Sequence, residues 1–113
     1  MSDDIRDFDV DSSKGKIRLR ILEMDNGLIL LISDSEKFRI GLSAIAIPGG
    51  QGRTQATSSG LFTAGLDAAL VRTLAERVAI WTNQTCLVVV GVKALDRDTL
   101  MELTVILKNH LVT

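Results

Sequence analysis

An α+β fold, with a small antiparallel β-sheet of about five to six strands, a central amphipathic helix and a C-terminal helix, follows from three features of the sequence. Residues 16–47 fall into short blocks that alternate or run apolar at strand period; residues 66–81 carry apolar side chains at helical spacing; and a β-branched run at 85–92 leads into a second helical pattern. With 113 residues, 46% of them hydrophobic, the chain suits a single domain around one core.

Residues 1–14 are rich in Asp and Ser, with Ile5, Phe8 and Val10 as the apolar anchors, and read as a flexible acidic tail or a weak first strand, disordered at least to Arg6. The domain proper then spans 15–113. In 16–24, Ile17, Leu19 and Ile21 alternate with Arg18 and Arg20, the period of a half-buried strand. Asp25, Asn26 and Gly27 supply left-handed positions for a tight hairpin turn, and the apolar run 28–32 is its buried second strand. Phe38, Ile40 and Leu42 alternate with Arg39, Gly41 and Ser43 before the run 44–47, which predicts a third antiparallel strand. Pro48 ends it, and residues 49–60 make one long polar, Gly-rich loop, a kind that in compact domains is usually functional or disordered.

Leu66, Leu70, Leu74, Val78 and Trp81 form a helical stripe wide enough to cover a sheet. Beside it Ala68, Ala75 and Ala79 make a small-residue face where another backbone can come close, so the helix is expected to be packed on two sides. The run 85–92 is apolar on both faces and reads as a central strand. Asp96 is placed to cap the last helix, whose dipole is matched by Asp98 at its start and Lys108 near its end. That helix has a main stripe of Leu100, Leu103, Ile106, Leu107 and Leu111. It also has a second strip, Met101 and Val105, more apolar face than a surface helix needs and a pointer to a subunit or partner contact.

Composition narrows the function. Lys plus Arg number 13 against 14 Asp plus Glu, so counterion release contributes little and nucleic acid is not an expected partner. The N-terminus lacks the basic and apolar pattern of a signal peptide, and no apolar stretch nears the ~18 residues of a membrane span, so neither secretion nor a membrane partner is expected. The single cysteine, Cys86, cannot close an internal disulfide and suits a reducing compartment, which places the protein in the cytoplasm or nucleus. Tyr is absent and aromatics are few, which disfavours a base-stacking platform or an aromatic cage.

No constellation calls for catalysis. The Gly-rich loop with Arg53 offers clustered amides for a phosphate but lacks the Lys-Ser/Thr pair of a P-loop. His110, the lone histidine, has no nucleophile near it in sequence and reads as a helix-terminal side chain. Cys86 reads as a small core residue, and Asp96 and Asp98 as helix-start acids rather than an acid pair. Accordingly no catalytic residue, cofactor or metal is assigned, and an enzyme is the least supported class.

The passage Arg77-Val78-Ala79, Thr82-Asn83-Gln84 and then 88–92 resembles the fourth proteasome assembly chaperone, with its Arg-Leu-Ala, Thr-Asn-Lys and apolar strand. The strand end Val90-Gly91-Val92-Lys93, with Leu100 and Leu103 on the next helix, resembles the third. The likeness runs over residues 28–111, with the Gly-rich loop as a departure from the family. It implies a non-enzymatic chaperone that binds proteasome α-subunits during α-ring formation as a homodimer or as a heterodimer with a sister chaperone. The residues expected at a partner or dimer interface are Pro48, Gln51 and Arg53 in the loop, Ala68, Ala75 and Ala79 on the central helix, and Met101 and Val105 on the last. A second reading, from another class, is a small regulatory or ligand-binding domain, either a roadblock-like scaffold for small GTPases or a nucleotide sensor using residues 49–53.

Overall fold

Strand period and glycine placement set the sheet. In the computed structural model, which describes residues 4–13, 15–38, 40–49, 57–62, 67–92 and 96–111, the elements are β1 (Ile5–Ser12), β2 (Gly15–Met24), β3 (Gly27–Ser33), β4 (Leu42–Ile47), β5 (Thr57–Phe62), α1 (Asp67–Thr82), β6 (Thr85–Gly91) and α2 (Arg97–Leu111). The strands form one sheet in the order β1-β2-β3-β6-β4-β5. The α+β class is the one expected, but the sheet is mixed rather than wholly antiparallel. β6, the last strand in sequence, inserts between β3 and β4 and runs parallel to β3. A parallel pair needs a crossover, and α1, which leads directly into β6, completes it.

The alternation in β2 buries Ile17, Leu19 and Ile21; the same face takes Leu28, Leu30 and Ile32 from β3, Cys86, Val88 and Val90 from β6, and Ala44 and Ala46 from β4. Helices cover this face. α1 packs on β4, β5 and β6, while α2 packs on α1 and β1. The buried side of α1 is Val71, Leu74, Ala75, Val78 and Ala79, all at 0% exposure, whereas Leu70 and Trp81 are half-buried. The two alanines lie together on one flank of this buried stripe. α1 is packed on two sides, by the sheet and by α2.

Three local devices join the elements. α1 ends with Asn83 in the left-handed region (φ 55°), and the Gln84 amide donates to the Ala79 carbonyl at 3.3 Å, a Schellman-type stop that turns the chain into β6. α2 begins with Asp96 Oδ1 accepting from the Thr99 amide at 2.8 Å, as its capping position predicts. At its far end His110 stacks on Phe8 of β1, centroids 4.4 Å apart, which ties the last turn to the edge strand.

Four expectations change. Ile5 and Arg6 are already in β1, paired with Leu22 and Ile21, because opposite charges line up across the strands. β4 begins only at Leu42; Ile40, taken as a strand position, is 84% exposed. Residues 57–60, assigned to the loop, form the start of β5 against β4. The β2–β3 hairpin turns at Asp25 and Asn26 as expected, but neither has positive φ. Gly27 is required for another reason: a Cβ there would lie 2.3 Å from the Thr85 carbonyl oxygen of β6.

Gly27→Ala should accordingly force β3 and β6 apart and cost about 1–3 kcal/mol, read from chemical denaturation. Ala79→Leu should overpack the α1 contact by a similar ~1–3 kcal/mol, and an unchanged melting temperature would show room that the packing does not provide.

Candidate partner interface

Among the described residues, no helix lies on the second face of the sheet. Because side chains alternate, the residues opposite the core in register form rows across the strands. One row runs Ile5, Leu22, Ile29, Leu87, Ile45 through β1, β2, β3, β6 and β4. Beside it lie Met24, Thr85 and Ile47 on one flank and Leu31 and Val89 on the other. Ile5, Met24 and Ile47 are 48%, 49% and 51% exposed, and Leu22, Ile29, Leu31, Ile45, Leu87 and Val89 are half-buried. A contiguous aliphatic surface of this kind is uncommon on a solvated sheet face.

One end of the face is charged and locally neutral. Arg20 grips Asp7 through two bonds, Nε to Oδ1 at 2.7 Å and Nη2 to Oδ2 at 2.9 Å, and its guanidinium lies 5.1 Å from the Phe38 ring centroid. Arg18 pairs with Asp9 at 3.1 Å and donates to the Glu36 carbonyl at 2.8 Å. The Arg20 hydrogen bond holds the Asp7 carboxyl below its ordinary range, against a smaller upward push from burial. Ser33, fully buried at the end of β3, shapes the loop above this end by donating to the Lys37 carbonyl and accepting from the Ser35 amide.

The residues singled out from sequence are placed as follows. Ala75 and Ala79 belong to the chain's own core, so that small-residue face is filled from within and is not open to a partner. Ala68 stands in the first turn of α1, but its side chain lies outside the described residues, as do Gln51 and Arg53. Pro48 is half-buried just past β4. Met101 and Val105 do lie on the surface, 62% and 61% exposed. Burial pushes the Cys86 thiol up to about 12, so it stays protonated at neutral pH. Among the described residues no three His, Cys, Asp or Glu gather as a metal site.

Sequence reasoning missed the open sheet face. Its signal was present: β3 and β6 are apolar on both faces, and two helices suffice to cover only one face of six strands.

For Asp7, the lowered pKa means that its pair with Arg20 contributes fully above the unfolded value of about 3.9 and is lost as pH falls through the lower folded value. An NMR titration of the Asp7 carboxyl should give a midpoint below ~3.9, and Arg20→Gln should move it upward toward that value.

No family model matches the sequence, and no curated protein does. Among solved structures the chain superposes on a chain in the crystal structure of a novel chaperone complex for yeast 20S proteasome assembly, with a TM-score of 0.63 and 17% identity over 96% of this chain and 93% of that one. This protein therefore shares its fold, over nearly its whole length, with a component of a proteasome-assembly chaperone complex.

Proposed function

We propose that the protein is a non-enzymatic assembly chaperone of the cytoplasm. It pairs through its open sheet face with a second copy or a sister chain, and holds α-subunits of the 20S proteasome while their ring forms. The observation that carries the pairing is the five-residue aliphatic row from Ile5 to Ile45, on a face that no element covers among the described residues. Two such faces can stack as sheets do, about 10 Å apart, with side chains interdigitating. A two-fold arrangement makes the same patch serve both partners. The charged end suits such stacking because Asp7–Arg20 and Asp9–Arg18 are already matched within the chain, so they bring little unpaired charge to the contact. The chaperone role is supported by the fold shared with the yeast complex together with the likeness of the Thr82-Asn83-Gln84 passage and the strand after it.

In sedimentation equilibrium the protein should be a dimer. Leu87→Glu, at the centre of the row, should weaken association roughly a hundredfold, since an unpaired carboxylate removed from water costs several kcal/mol, while far-UV circular dichroism stays unchanged. Tagged protein should retain 20S α-subunits from lysate, identified by mass spectrometry, and the Leu87→Glu variant should retain less. A monomeric wild-type protein that retains none would end this reading.

A further inference from the structure

The open sheet face is uneven, and its unevenness has a direction. On one side of the aliphatic row Arg20, Leu31, Val89 and Ser43 stand in register across β2, β3, β6 and β4. On the other side stand Met24, Gly27 and Thr85, with Ile47 one step beyond the Ala46–Cys86 pair. Each flank mixes large and small residues. Gly27 offers no side chain and Ser43 is 5% exposed, whereas Met24 and Ile47 stand out at about half exposure.

The end of the face beyond Arg20 is raised. Ser33 holds an outward position there, opposite Arg18, yet it is fully buried and its hydroxyl donates to the Lys37 carbonyl at 3.0 Å. Residues 34–38 are also tied to the outward arginines of β2, through the bond from Arg18 to the Glu36 carbonyl and the contact of Arg20 with Phe38. The loop therefore stands on the open side of the sheet, and it does so at the end away from Met24 and Ile47.

Two copies that meet face to face can be related by a two-fold axis along the strands or across them. An axis along the strands, between β3 and β6, brings both loops to the same end and wedges the sheets apart there. It also sets Met24 against Ile47 of the second copy, large on large, and Gly27 against Thr85, which leaves a gap. An axis across the strands, along the aliphatic row, lays each flank on the opposite flank and sends each loop past the Met24 end of the other copy. Leu31 then falls over the bare Gly27, Ile47 over the recessed Ser43, Val89 over Thr85, and Met24 against the Arg20–Phe38 pair. The ~30° angle between packed sheets displaces the outer contacts but leaves those of β3 and β6 near the axis.

We propose that the face pairs with a second copy of this chain about a two-fold axis running across the strands through Ile29 and Leu87, with residues 34–38 of each copy seated beyond the Met24 end of the other. The inference rests on the open face being the pairing surface, and adds to that reading the partner and its orientation.

Cysteine cross-linking of the full chain tests it. Cys86 is buried, so the parent protein serves as the blank. The variants are Leu87→Cys, Thr85→Cys, Val89→Cys and the double variant Thr85→Cys, Val89→Cys, each matched to the parent in circular dichroism and sedimentation. The reagent is a thiol-specific cross-linker of ~8 Å span, suited to sheets packed ~10 Å apart and too short for the ~13 Å that separate residues 85 and 89 along β6. Leu87→Cys, on the axis, should give a covalent dimer. Thr85→Cys and Val89→Cys should each give none alone, and the double variant should give one. A covalent dimer from Val89→Cys alone, or none from the double variant, overturns the orientation while leaving the pairing face in place. A protein that sediments as a dimer but is not joined at Leu87→Cys has its contact elsewhere, which overturns this inference and the pairing face together, as does a monomer.

Discussion

The structure depends on the insertion of β6 between β3 and β4. Without that strand the chain holds two separate pieces, the β1-β2-β3 meander and the β4-β5 pair, with no direct pairing between them. β6 joins them by a full parallel register with β3 and an antiparallel one with β4. Glycine stands beside both ends of it. Gly27 passes the Thr85 carbonyl and Gly41 passes the Val90 carbonyl, each so close that a Cβ would sit 2.3 Å from the oxygen. The helix before β6 is held to the same requirement: Asn83, in a backbone conformation that costs most side chains ~1–2 kcal/mol, stops α1 where the chain must reverse into the slot.

The layered arrangement follows from that insertion. With β6 central, the apolar run of residues 86–90 has two faces to bury, and the neighbouring run in β3 has the same need. Both helices lie on one side, where the core residues of four strands meet α1 and α2. The other side is left with aliphatic rows and a border of internally matched ions. Edge strand β1 carries Asp7 and Asp9 on this open side, opposite Arg20 and Arg18 of β2. Charge along an outer strand discourages edge-to-edge growth of the sheet, while leaving its broad surface apolar.

Much of this was legible in the sequence because it is local. The alternation of Ile17, Leu19 and Ile21, the cap at Asp96, the break at Thr82-Asn83-Gln84 and the central position of residues 85–91 are each written in neighbouring residues. What was not legible depends on distant partners. Nothing near residue 27 says that Thr85 lies against it, and nothing near Asp7 says that Arg20 faces it until the register is known. The alanines of α1 illustrate the same limit: their spacing marks a small-residue face, but whether that face is filled from within or by a partner is decided by the fold, and Ala75 and Ala79 are buried within the chain's own core. The open sheet face was obscured because a doubly apolar strand reads as a doubly covered one, and counting the helices against the faces was the missing step.

The late position of β6 also has a consequence for synthesis. As the chain leaves the ribosome, β1, β2 and β3 can pair in order, since their contacts are between neighbours. The β4-β5 hairpin can form on its own as well. Yet the inner edges of β3 and β4 have no partner strand until residues 85–91 emerge, about four-fifths of the way through the sequence. Between the completion of β5 and that of β6 the chain is thus two unfinished sheets with open inner edges, a condition in which nascent proteins are exposed to mispairing. A protein whose finished sheet keeps one aliphatic face open passes through a more adhesive state before that sheet is complete.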